Sequence, residues 1–157
     1  ILRRADHALL AEPAISIALR KTGSFPVKLI APDLYRSINL QEEWGRLYKI
    51  EAKIPQAGLA IIGDTNGKEE LISKVLAEYD KSLAWYKNNK EEASKLVVKT
   101  LPMLEEKGLA DSIEHVRFEN ISAIKSKKDL EFFFDILMQN DSKLIGGKLP
   151  NEDFYYK

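Results

Sequence analysis

The sequence contains no cysteine. That excludes disulfide bonds, thiolate catalysis and zinc centres built on cysteine ligands. It is compatible with a secreted or periplasmic chain and equally with a cytosolic one. Charge of one sign is not in excess, since 24 basic residues meet 24 acidic ones. A nucleic-acid-binding protein draws most of its affinity from neutralising phosphates, so this balance argues against that class of partner. No apolar run approaches the ~20 residues that a membrane-spanning helix needs. No signal peptide opens the chain, and Ile1 to Arg4 reads as helix interior. The chain begins without methionine, which reads as a fragment or a processed product, so missing targeting signals say little about location.

What remains is a chain of 157 residues, 45% hydrophobic and 31% charged, which supports a packed core rather than wholesale disorder. Three short apolar runs read as strands: Ala8 to Ala11, Val27 to Ala31 and Ala57 to Ile62. Pro13 is placed to start a helix running to about Lys21, with Gly23 as its stop. Gln41 to Tyr48 is helical, with Trp44 and Leu47 on one face. Ile72, Val75, Leu76, Tyr79, Leu83 and Tyr86 recur at helical spacing, after Asn66 and Glu69 in a capping arrangement. Asn89 with Glu92 caps the next helix. Short helical pieces follow over Met103 to Lys107 and Ala110 to His115. Ser126 with Asp129 opens the last helix, whose apolar face carries Leu130, Phe133, Phe134, Leu137 and Met138. The tail ends in Phe154, Tyr155 and Tyr156, which should pack rather than stay in solvent. The fold class expected is α/β. Three short strands are few for so many helices, which suggests that part of the sheet lies outside this chain.

No catalytic centre is evident. His7 and His115 lie far apart, with no second histidine at ligand spacing, and read as ordinary partly exposed side chains. The paired carboxylates Glu42-Glu43, Glu69-Glu70, Glu91-Glu92 and Glu105-Glu106 fit helix starts and solvated faces. Gly63 to Gly67 lies where an anion site could form but lacks the phosphate-binding patterns, so a turn with a helix cap is the better reading. Gly146-Gly147 also reads as a turn. No catalytic residue, metal ligand or cofactor is therefore expected. Glu12-Pro13 is more informative. A carboxylate there ends a short strand and precedes a helix, where open sheets bind ligands. It is read equally well as an acidic residue beside a helix dipole.

Five stretches carry a resemblance. These are Ala5 to Pro13 (ADHALLAEP), Leu40 to Trp44 (LQEEW), Ile54 to Ile62 (IPQAGLAII), Ala84 to Ala93 (AWYKNNKEEA) and Gly146 to Tyr156 (GGKLPNEDFYY). In this order they resemble the solute-binding proteins of nitrate/sulfonate/taurine-type ABC importers, a family similar to thiamine-pyrimidine-precursor binders. His7 departs from the family, which often has a small residue there. The resemblance implies the C-terminal half of a two-lobe, periplasmic-binding-protein-like fold. Residues 1–56 would belong to the second lobe with its return crossover, and residues 57–157 to the first lobe. It implies a small-molecule solute, organic or oxyanion, bound in an interlobe cleft. Glu12 and Pro13 would line that cleft, with Gln56 and Ala57 near the crossover, and the lobes would close on a hinge. A carboxylate in the cleft would favour a ligand with a cationic or hydrogen-bond-donating group, such as a heterocycle or an aminosulfonate. The partners implied are a membrane permease and either the missing N-terminal half or a swapped copy of the chain. The location implied is periplasmic or extracellular and membrane-anchored. The alternative is a precursor-biosynthesis enzyme on the same fold.

Overall fold

In a computed structural model, residues 6–156 are described. The helices follow the apolar periodicity: α1 (Ala14–Gly23), α2 (Leu40–Tyr48), α3 (Glu69–Asn88), α4 (Lys90–Thr100), α5 (Glu106–Ser112) and α6 (Ala123–Asn140). Short 3-10 turns occupy Val27–Leu29, Ile113–His115, Ser142–Ile145 and Glu152–Phe154.

Among the described residues there is no strand, which overturns the α/β assignment and with it the half of a two-lobe sheet fold. The reason is local. A strand is stable only when a neighbour takes its N–H and C=O groups. Val27 to Ala31 closes its hydrogen bonds on itself, with Lys28 N–H donating to Ser24 O, Ile30 N–H to Val27 O and Ala31 N–H to Val27 O. Residues 8–11 and 57–62 have no regular structure, and Leu59 and Ile62 are exposed, Ile62 at 94%. An apolar run identifies a segment able to be a strand, but it does not supply the partner.

Capping differs from expectation in detail. Pro13 precedes α1 and Asn39 caps α2, its side chain accepting from Gln41 N–H at 3.0 Å. Asn89 does stand between α3 and α4, but its amide donates to Trp85 O at the end of α3. Lys68, not Asn66, occupies the cap of α3. Ser126 lies inside α6, its hydroxyl donating to Ser122 O. Glu105 caps α5 through Lys107 N–H and Gly108 N–H, so the helix runs through Gly108 instead of stopping before it.

The chain divides into two compact units, residues 1–37 with 66–118 and residues 38–65 with 119–157. The first packs α1 and α4 against α5. Its centre is made of small side chains: Ser16, Ala93, Ser94, Gly108, Ala110 and Ser112 are all buried, with Leu109 and Ile113 among them. Gly108 allows this closeness. A Cβ there would stand 2.8 Å from Ile17 Cα. The second unit is built on aromatic rings. Trp44 and Tyr48 of α2 meet Phe132 edge-on, with centroids 5.9 and 5.2 Å apart, and Trp44 meets Phe133 at 5.8 Å. Of the aromatic ending expected to pack, Tyr155 is buried at 2% exposure, whereas Phe154 beside it stays 57% exposed. Gln41 binds both backbone groups of Ile54, accepting from its N–H and donating to its C=O.

Candidate functional site

Glu12 sits one residue before the cap of α1, after the short segment once expected to be a strand. Its Oε2 accepts from Ser16 N–H at 3.1 Å, satisfying one of the free amides of the first helical turn. Its Oε1 accepts from the Arg36 guanidinium at 2.5 Å, and the same nitrogen of Arg36 donates to Ser16 Oγ at 2.8 Å. The Glu12 side chain is 9% exposed and that of Arg36 37%. Burial pushes the Glu12 carboxyl up. The hydrogen bonds from Arg36 and Ser16, with the charge of Arg36, outweigh this and hold it below the ordinary value of 4.5. Glu12 is therefore ionised at neutral pH.

Ser16 and Arg36 also face an open groove of about 450 Å³ on the first unit. Leu19 and Arg20 of α1 line it, with Asp111 of α5 and His115. Arg20 is held in a fork, its Nε donating to Asp111 Oδ2 at 2.7 Å and a terminal nitrogen to Oδ1 at 2.8 Å. Such bidentate pairs fix a guanidinium in place. The groove is thus a polar depression lined by two oriented arginines, the hydroxyls of Ser16 and Ser24, the carboxylates of Asp111 and Glu114, and His115, with Leu19 as its apolar part. It can hold a small polar molecule through hydrogen bonds. It shows no nucleophile aligned with a base.

Of the residues expected at a binding site, Glu12 holds two groove residues, Ser16 and Arg36, through hydrogen bonds, but neither Glu12 nor Pro13 lines the groove itself. Gln56 and Ala57 belong to the other compact unit, where both are exposed. The lead from Glu12 to a cationic ligand weakens, because Arg36 already meets the carboxylate charge. Arg36 was not foreseen. It lies 24 residues from Glu12 in a stretch without periodicity, and only its being the sole cation between Lys28 and Arg46 could have drawn notice. His7 and His115 are both exposed.

Among the described residues, no group of three or more His, Asp or Glu side chains is placed to hold a metal ion, and no helix is long and apolar enough to cross a membrane. No family model, curated protein or solved structure matches the chain.

Proposed function

We propose that this chain binds a small solute as part of an ABC importer's solute-binding protein, and that the groove beside Arg36 receives it. The observation that carries the reading is the Glu12–Ser16–Arg36 arrangement. It fixes a partly exposed guanidinium at the rim of a roughly 450 Å³ depression, within the ~300–1,000 Å³ range of small-molecule sites. The ordered series of five family-like stretches supports the same reading, since the first of them ends at Glu12-Pro13. An oxyanion or a heterocycle with hydrogen-bond acceptors suits the donors of Arg36 and Ser16. The partners of this reading are a membrane permease, in the periplasm or outside the cell, and a covering chain. That cover is a second copy of the chain, and the exposed apolar residues Leu59 and Ile62 support it.

The test is a thermal-shift screen of nitrate, aminosulfonates and amino-substituted heterocycles. A true ligand at a hundredfold excess over Kd stabilises by about 2.7 kcal/mol. The expected result is a saturable Tm rise with one chemical class and no turnover of it. Conversion of a pyrimidine precursor into product would replace binding with the enzyme reading. A flat response across the whole panel would remove the proposal.

A further inference from the structure

Asn66 and Gly67 form an exposed turn ahead of α3. They are the only Asn-Gly pair in the sequence. The other six asparagines precede Leu40, Asn89, Lys90, Ile121, Asp141 and Glu152. The residue after an asparagine controls how closely its backbone nitrogen can approach the side-chain amide carbon, and a glycine puts no Cβ in the way. At Gly67 the backbone φ is +69°, and the space a Cβ would occupy is open. The Gly67 N–H is not engaged in a helix. It donates to Glu69 Oε1 at 3.3 Å. A hydrogen bond to an anion raises electron density on the nitrogen and offers its proton an acceptor.

We propose that Asn66 is a self-modifying site, at which the chain converts its own amide into a carboxylate. The Gly67 nitrogen attacks Asn66 Cγ, forming a C–N bond and giving its proton to the Glu69 carboxylate. The bond from Cγ to the amide nitrogen then breaks. That nitrogen takes the proton back and leaves as ammonia, and a five-membered succinimide remains. Water adds at either carbonyl and opens the ring, to aspartate or to isoaspartate, whose backbone runs through Cγ. No electrons are exchanged, and water is the only co-reactant. Either product adds a negative charge three residues before Glu69, where α3 already starts with two carboxylates. Isoaspartate also lengthens the backbone by one carbon at the first residue of the segment 66–118.

The test is incubation of the folded full chain at mildly alkaline pH, followed by mass analysis of its tryptic peptides. The peptide spanning residues 54–68 is expected to gain one mass unit before any peptide carrying the other six asparagines. Its product should resolve into aspartate and isoaspartate forms, and Glu69→Gln should slow the conversion several-fold. Asn66→Gln should abolish the early gain. Conversion of another asparagine first would overturn the proposal. So would an unchanged Asn66 in the folded chain alongside conversion in the urea-unfolded chain. An unaltered rate in Glu69→Gln would overturn the role given to that carboxylate.

Discussion

The two compact units reach stability by different routes. In the first, helices approach closely around small residues, Gly108, Ala93, Ser94 and Ser16 among them. In the second, rings fill the space, and Trp44, Tyr48, Phe132 and Phe133 meet with centroids 4.5 to 5.9 Å apart in tilted and edge-on arrangements. Small residues fix distances between backbones. Aromatic residues supply buried area and tolerate adjustment. The candidate site belongs to the first unit. A groove whose wall comes from α1 and whose far side comes from α5 needs their spacing held, and close helix contact holds it.

Substitutions can break that contrast. Trp44→Ala should have the largest effect, destabilising the second unit by about 3 kcal/mol, because a half-buried ring falls at the low end of the ~3–5 kcal/mol for large-to-small changes. Urea denaturation followed by near-ultraviolet dichroism would read it, and Trp44→Phe should recover most of the loss. Gly108→Ala should come next. Its Cβ meets backbone at Ile17, so α1 and α5 must separate, at about 1–3 kcal/mol. A neutral result would show that the spacing is not critical. The same substitution should weaken ligand binding, whereas Trp44→Phe should leave it unchanged.

Arg36→Gln should cost about 1 kcal/mol at neutral pH, a modest figure because Arg36 is 37% exposed. The folded carboxyl of Glu12 lies below its ordinary value of 4.5, so its contribution is complete above that value. It is lost as pH falls through the lower, folded value. The stability gap between wild type and Arg36→Gln should therefore close on acidification below about pH 4.5. A gap that persisted in acid would mean that the guanidinium acts by packing. Smallest of all, Glu78→Gln should change stability by less than about 0.5 kcal/mol, because its pair with Lys81 is exposed on both sides.

The sequence announces helices better than their surroundings. Ile72, Leu76, Leu83 and Tyr86 mark α3 because a helix closes its own hydrogen bonds, so its signal is local. The run Ala57 to Ile62 could be recognised as strand-capable, but pairing is a long-range property that the run does not contain. Val27 to Ala31 shows the competing outcome, a turn closed on Ser24 and Val27. The helix start at Glu12-Pro13 was legible because a proline-started helix is a local pattern, although the strand expected to end at Glu12 does not form. Arg36 was not, because its relation to Glu12 spans 24 residues. Gln56 and Ala57 were inferred through the lobe arrangement, and the absence of a sheet among the described residues removes that route.

Calorimetric titration of wild type and Leu19→Trp, with whichever solute raises Tm, tests the groove most directly. Leu19 lines the depression, and a larger ring there fills it while leaving Arg36 and Glu12 in place. Saturable heat in the wild type and none in a folded Leu19→Trp is the result expected. An unchanged Kd in the variant would contradict binding at this site.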